Sequence, residues 1–210
     1  MLYSVLYNER VTMSLSKQNL DLATQYFLGN TEMLDKKDDD FKNWFLTYAS
    51  DNNSSTVREA VTLHYLGYES YTAKHGADGF DPKTGRQKEV KPKFVTEGNK
   101  ISSSGNFNDM TMELLEKKKD LDVICSLFSG NRLIYIVEFP ISVINEKLKQ
   151  PIVNAQAGRR VVCPFNYMNY DTDELIVHYL DVDTMKKHNC LPKNHMIMLE
   201  TRNKKNDTII

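Results

Sequence analysis

Four side chains that can bind a metal or move a proton lie around one turn of the sequence, in residues 76–93 (GADGFDPKTGRQKEVKPK). They are Asp78, Asp81, Glu89 and Lys91. Two carboxylates a few ångströms apart repel each other unless one is protonated or a cation lies between them. Mg²⁺ suits such a pair, since it takes a few carboxylates together with waters and substrate phosphate oxygens. A neighbouring lysine can orient a water or stabilise negative charge at phosphorus, so these residue types suit phosphodiester hydrolysis.

The turn decides which aspartate can join Glu89 and Lys91. These two residues are two apart on a predicted strand, so they share a face. If the loop comprises residues 82–85, with its proline early and its glycine left-handed, Asp78 lies opposite Glu89 and Asp81 faces away. A two-residue loop at Thr84-Gly85 also puts Asp78 on the face of Glu89 and leaves Asp81 facing away. A slip of one residue in the register would exchange the two aspartates. The spacing of these residues is also compatible with a solvated hairpin that carries a surface Glu–Lys ion pair. The elements around the turn are therefore needed to choose between a metal site and a surface hairpin.

The chain around the turn predicts helices first and then strands with helices between them. Periodicity and capping residues predict helices at 17–28, 41–49, 57–68, 109–120, 141–150 and 184–188. Apolar or alternating runs predict strands at 69–73, 77–81, 86–92, 121–129, 132–140, 159–170, 174–182 and 195–200. Pro92 is expected to end its strand, and residues 95–109 have the composition of a polar loop. This order predicts an α/β fold, a central mixed β-sheet flanked by helices.

The order of elements and acidic residues resembles the PD-(D/E)xK restriction-endonuclease-like superfamily. In that pattern an aspartate near the end of one strand is followed, across a turn, by Glu-x-Lys on the next strand. The matching residues are Asp78, Glu89 and Lys91, with Ala77 where the name-giving motif has proline. Many members also carry a glutamate on the preceding helix, and Glu59 stands at that place in the order.

A looser similarity to type II restriction enzymes runs through GNFND, a helix, two strong strands and an arginine-bearing strand with F-x-Y. Together the two resemblances cover residues 55–180. The resemblance implies a restriction–modification deoxyribonuclease that cuts double-stranded DNA with Mg²⁺. Asp78 and Glu89 would hold the metal, Glu59 would assist and Lys91 would position the attacking water. Cutting both strands of a palindromic site is simplest for a homodimer. The alternatives are a repair or recombination nuclease of the same fold, a non-catalytic DNA-binding module, and an interaction protein without nucleic acid.

Basic and amide side chains provide candidate DNA contacts, because lysine and arginine neutralise phosphates while arginine and asparagine can also read base edges. A basic group surrounds the turn: Lys83, Arg86, Lys88, Lys91, Lys93 and Lys100. The residues predicted to contact DNA are Lys93, Asn106, Asn108, Arg159 and Arg160. Solubilising surface charge is the alternative for the basic residues. Asn108 or Asp109 is also the expected cap of the next helix.

Composition limits the remaining possibilities. The 210 residues fit one domain, and the net charge of −1 does not favour a globally basic nucleic-acid binder. No apolar run is long enough to span a membrane, the start is not a signal peptide, and three distant cysteines predict reduced thiols in the cytoplasm. No organic cofactor is expected. Residues 1–16 are predicted to be a leader or disordered start, 17–202 the single domain, and 203–210 a polar tail.

Overall fold

The computed structural model describes residues 17–50, 55–71, 76–95, 104–155, 158–167 and 174–181. Several predictions from the sequence concern other residues, and these lie outside the described ranges. They are the leader at 1–16, the helix at 184–188, the strand at 195–200, the tail at 203–210, and the side chains of Lys100 and Cys190.

Within the described residues the chain forms five α-helices and two 3₁₀ helices. The α-helices are α1 (Lys17–Phe27), α2 (Asp39–Ser50), α3 (Thr56–Tyr65), α4 (Met112–Lys117) and α5 (Asn145–Asn154). The 3₁₀ helices are Thr31–Lys36 and Ile141–Ile144. Every helix predicted within these ranges is present, with its ends shifted by a few residues.

Eight described strands form two sheets. They are β1 (Glu69–Ser70), β2 (Gly79–Phe80), β3 (Gln87–Val95), β4 (Ser104–Met110), β5 (Asp122–Ser129), β6 (Arg132–Pro140), β7 (Val161–Asn166) and β8 (Ile176–Tyr179). Six of them form a sheet in the order β1-β2-β3-β5-β6-β8, while β4 and β7 pair separately. In the large sheet β3 and β5 are parallel and the other neighbours are antiparallel. The predicted α/β fold with a mixed sheet is therefore confirmed.

The large sheet carries an apolar core on each face, because alternate strand residues point to opposite sides. On one face, Val90, Ile124 and Ile136 share a core with Phe27 of α1 and Leu63 of α3. The N-terminal helices therefore cover this face, and we call it the N-terminal face.

The opposite face is covered by later parts of the chain. Here Val123 and Val137 share a core with Leu115 of α4, Leu148 of α5 and Phe107 of β4. The small β4–β7 sheet thus lies on this side together with α4 and α5. We call it the α4 face, and Glu89 and Lys91 belong to it by their alternation along β3.

The prediction that Pro92 ends its strand is wrong, since β3 continues to Val95. The Val90 amide points towards the β2 edge, where it donates to the Asp78 side chain. Two residues later the Pro92 nitrogen faces the same edge, beyond the reach of the two-residue β2. The missing N–H of Pro92 therefore leaves no bond unmade, as is usual for proline at a sheet edge.

The prediction that residues 95–109 form a loop is also wrong at its end, where β4 begins at residue 104. Gly105 and Phe107 are buried while Asn106 and Asn108 are exposed, which is the alternation of a half-buried strand. The pairing with β7 joins segments more than fifty residues apart in sequence. The polar composition of the segment concealed this alternation.

The sequence predicted that Asn108 or Asp109 caps α4, and this prediction is wrong. The cap is Thr111, whose hydroxyl accepts a hydrogen bond from the Leu114 amide at 3.2 Å. Asp109 instead has a positive φ of 56° and lies where the β4–β7 register shifts. A bulge of this kind bends the strand and directs the chain into the helix.

Candidate active site

The turn between β2 and β3 has the register that brings Asp78 opposite Glu89. Gly79 is paired with Lys88 across the two strands. Asp78 precedes this pair on the side of Glu89, and its amide donates to the Lys88 carbonyl at 2.9 Å. The loop comprises residues 82–85, since the Asp81 amide donates to the Arg86 carbonyl at 2.9 Å. The register predicted from turn chemistry is therefore the one that the structure contains.

Asp81 belongs to the turn itself. Its Oδ1 accepts a hydrogen bond from the Lys83 amide at 2.8 Å, and its Oδ2 accepts one from the Thr84 hydroxyl at 2.9 Å. The bond from Lys83 holds the pKa of Asp81 below its ordinary value. Gly85 has the expected left-handed φ of 72°. The structure thus removes the one-residue slip that would have exchanged Asp81 for Asp78.

Asp78 is half-buried at the edge of β3, where its Oδ2 accepts a hydrogen bond from the Val90 amide at 2.6 Å. Burial and the neighbouring Glu89 carboxylate raise its pKa from 3.8 to about 6, and Glu59 contributes in the same direction. The Lys91 ammonium group acts in the opposite sense. Asp78 therefore interacts with each of the other three predicted catalytic side chains.

Glu59 reaches this group from the first turn of α3 and is itself half-buried. Its neighbours in the helix, Arg58 and Ala60, are buried, so α3 is held against the sheet on both sides of Glu59. A carboxylate in the first turn is also favoured by the helix dipole. The helix thus presents Glu59 to the Asp78 edge without burying its charge.

Glu89 has a cation on each of its oxygens. Its Oε1 accepts from Lys91 Nζ at 2.6 Å, and its Oε2 accepts from Lys118 Nζ at 2.9 Å. The side chain is nearly buried, which by itself would raise the pKa of Glu89. The two ammonium groups outweigh burial and hold that pKa below its ordinary value. Glu89 is therefore ionised and doubly paired.

Lys118, the residue after α4, is the site member that sequence reasoning missed. It lies in the run EKKKD (116–120), which reads as the solvated end of a helix. Its ammonium nitrogen lies 5.8 Å from the centre of the Phe107 ring, and that of Lys91 lies 5.0 Å from it. The aromatic face on β4 therefore holds both lysines beside Glu89.

The donor set matches Mg²⁺ in chemistry but not in its present arrangement. Asp78, Glu59 and Glu89 offer the hard carboxylate oxygens that Mg²⁺ prefers. Burial and the Glu89 carboxylate raise the pKa of Asp78, and a nearby cation would favour its ionised form. As the side chains stand, no three acidic, histidine or cysteine groups of the described residues are grouped closely enough to hold a metal. Lysines take both oxygens of Glu89 instead, so metal binding requires their displacement.

The predicted DNA contacts fall into two places on the same side of the molecule. Lys93 follows Lys91 along the α4 face, and together they line a small cavity of about 10 Å³. Asn106 is exposed on β4 opposite Pro164 of β7.

Arg159 and Arg160 are exposed immediately before β7 begins, and Asn108 is exposed further along β4. The β4–β7 pairing thus gathers two amides and two guanidinium groups on one ribbon. The inner side of this ribbon carries Phe107, which contacts the site lysines.

Two further residues lie away from the site. They are Glu138 and Lys88, the second of which belongs to the basic group that the sequence places around the turn. Both side chains are buried on the N-terminal face, where Lys88 Nζ pairs with Glu138 and with Asp122. The one-residue alternation of β3 sends Lys88 to that face and Glu89 to the other.

Family models and curated proteins give no assignment for this chain. No family model matches it, and no match is found among the curated proteins. In the part of the chain that the structure describes, none of the helices combines the length and apolarity needed to cross a membrane. The function therefore has to be inferred from the geometry of the site.

Proposed function

We propose that the protein is a Mg²⁺-dependent endonuclease that hydrolyses phosphodiester bonds in double-stranded DNA. The observation that carries the proposal is the convergence of Asp78, Glu59 and Glu89 with Lys91 at the end of the β2–β3 hairpin. Structural ion pairs balance their charges, whereas this group brings a second and a third carboxylate to an aspartate that is already desolvated. Perturbed carboxyl groups of this kind favour a functional site.

Each side chain of the group has a role in such a reaction. Asp78 and Glu89 offer oxygens to the metal from adjacent strands, and Glu59 offers one from α3. Lys91 lies beside Glu89 and can orient the attacking water or neutralise charge that develops on the phosphate. Bound Mg²⁺ would polarise a phosphoryl oxygen and lower the pKa of a coordinated water.

Duplex DNA is the proposed substrate because the exposed ribbon combines phosphate-binding and base-reading groups. Arg159 and Arg160 supply positive charge, and the amides of Asn106 and Asn108 can pair with adenine edges. A two-stranded ribbon also fits the major groove. We propose sequence-specific cleavage of the type II restriction kind by a homodimer. Sedimentation that shows only a monomer bound to duplex DNA would exclude the homodimer.

A second candidate is a DNA-binding module that does not cut. The observation in its favour is that two lysines already satisfy both oxygens of Glu89. Such a module would bind DNA in a salt-dependent way without any requirement for a divalent ion. Cleavage assays separate the two, and a repair or recombination nuclease would be recognised by a lack of discrete fragments.

The test is digestion of methylation-free genomic DNA and of plasmid DNA with Mg²⁺, using Glu89→Gln and Lys91→Ala. Each change should lower the cleavage rate by about 100-fold or more, because each removes a group that acts on the reacting phosphate. Glu113→Gln and Lys117→Ala are matched controls from an exposed ion pair on α4 and should cleave as the wild type does. Cleavage that survives both site changes would place the chemistry elsewhere, and salt-dependent binding without cleavage would favour the module.

A further inference from the structure

Lys118 differs from the lysines on either side of it. Lys117 and Lys119 are largely exposed and pair with Glu113 and Glu116, one turn back on the same helix. Lys118 instead turns inward and spans 29 positions of sequence to reach Glu89. Exposed ion pairs within a helix contribute little to stability. Lys118 is therefore the lysine of this run whose ion pair joins two distant segments of the fold.

The backbone fixes this direction. The Lys118 amide donates to the Leu114 and Leu115 carbonyls, and the Lys118 carbonyl accepts from the Leu121 amide at 3.0 Å. Leu115 and Leu121 are buried in the core of the α4 face. The end of α4 is therefore anchored on both sides of Lys118, and its side chain points to the site.

Charge balance shows what a second lysine at this place can do. With all acids ionised, the site has one more negative than positive charge. It contains the carboxylates of Asp78, Glu59 and Glu89 and the ammonium groups of Lys91 and Lys118. One divalent cation and one phosphodiester together add a single positive charge and complete the balance. Without Lys118 the same assembly would keep a net negative charge, which would repel the phosphate.

We infer that Lys118 is a displaceable cation of the site, which holds Glu89 Oε2 in the metal-free protein and contacts a DNA phosphate once a divalent ion takes that oxygen. The inference rests on the proposed nuclease function. Of the two lysines on Glu89, Lys91 lies two residues away on the same strand, whereas Lys118 reaches the carboxylate from the end of α4 across 29 positions of sequence. The Phe107 ring keeps its ammonium group at the site after release.

The first measurement is metal binding without DNA, by calorimetric titration of Mn²⁺ and Mg²⁺ into the full chain. Lys118→Ala should bind the ion more tightly, by about tenfold, because it removes a hydrogen-bonded competitor for Glu89. Lys118→Gln, which keeps a polar side chain without its charge, should change affinity in the same direction. Lys117→Ala is the control and should match the wild type. Circular dichroism and urea unfolding verify that each variant is folded.

The second measurement is the salt dependence of binding to duplex DNA, in EDTA and in Ca²⁺. In Ca²⁺, Lys118→Ala should lower the slope of log affinity against log salt by about one, the value for one lost phosphate contact. In EDTA the slope should equal that of the wild type, because Lys118 is then engaged with Glu89. A merely structural role would change both slopes or neither.

The outcomes separate this inference from the proposed function. Tighter metal binding together with a Ca²⁺-dependent change of slope supports the role of Lys118. Unchanged or weaker metal binding by Lys118→Ala, with normal binding by the wild type, overturns it and leaves the nuclease proposal intact. A wild-type protein that binds no divalent ion and cuts no DNA overturns both.

Discussion

Two adjacent residues of β3 form the centres of two ionic clusters on opposite faces of one sheet. Lys88 faces the N-terminal helices and lies between Asp122 and Glu138. Glu89 faces α4 and lies between Lys91 and Lys118. Both central side chains are buried and both bind two groups of opposite charge. The clusters differ in what surrounds them, and that difference separates a structural network from a reactive one.

The Lys88 cluster is balanced. Burial alone would lower the pKa of Lys88, but the carboxylates of Asp122 and Glu138 raise it well above its ordinary value. Arg86 supplies the second positive charge by pairing with Asp122 at 2.7 Å. The Tyr68 hydroxyl donates to the Glu138 carboxylate, and the Tyr68 ring lies under the Lys88 ammonium group at 4.3 Å. Two cations and two anions thus satisfy one another.

The Glu89 cluster is not balanced. Its two lysines pair with Glu89, while Asp78 is repelled by the carboxylates of both Glu89 and Glu59. Burial and the Glu89 carboxylate raise the pKa of Asp78 to about 6. A site that is strained in this way gains most from a cation that arrives with the substrate.

The largest expected effect is on stability, from Lys88→Met. The change leaves Asp122 and Glu138 buried without their central cation, so the free energy of unfolding should fall by about 3–5 kcal/mol. Lys91→Met on the opposite face is the matched variant and should cost no more than about 1 kcal/mol, since Glu89 keeps Lys118 and the site is partly exposed. Urea unfolding at neutral pH measures both. Equal losses would show that the two clusters have the same structural role.

The next effect is a pH dependence of stability that Asp78→Asn should remove. The pKa of Asp78 is 3.8 ordinarily and about 6 in the folded chain, so folding retains a proton that the unfolded chain has lost. The stability that this proton confers is complete below pH 4 and is lost as the pH rises to about 6. Asp78→Asn should therefore equal the wild type near pH 4 and exceed it by up to about 3 kcal/mol at pH 7.

Urea unfolding of both proteins between pH 4 and 7 makes this comparison. Asparagine keeps a side-chain oxygen that can accept from the Val90 amide, so the variant removes the charge and retains the local hydrogen bond. A constant difference across the range would mean that the pKa of Asp78 is not raised in the folded chain. The same variant should lose cleavage, which places stability and activity in opposition at this residue.

Local chemistry explains why the hairpin half of the site was predictable. The turn needs a proline early and a left-handed glycine at Gly85, and these two demands fix the loop length. Loop length then fixes the register, and register fixes which of Asp78 and Asp81 faces Glu89. The α/β order of the elements was likewise readable from periodicity within short windows.

The other half of the site depends on contacts between distant segments. Phe107 reaches the lysines only because β4 pairs with β7. The polar sequence around Phe107 does not predict that pairing. Lys118 is chemically identical to Lys117 and Lys119, and only the end of α4 and its anchored leucines decide which of the three turns inward. Pairing across the sheet likewise buried Lys88, which spacing alone had grouped with the surface lysines.

The smallest expected effect concerns Asp81, the residue that the site does not use. Asp81→Asn should leave cleavage within about twofold of the wild type, because surface changes away from a site are nearly neutral. Its two oxygens are engaged by the Lys83 amide and the Thr84 hydroxyl, and the residue faces away from Glu89. Cleavage by Asp81→Asn and Asp78→Asn, measured side by side at one Mg²⁺ concentration, decides the point. If the two aspartates lost activity equally, the turn would have to rearrange in the active protein, and the register of β2 and β3 would no longer identify the metal ligand.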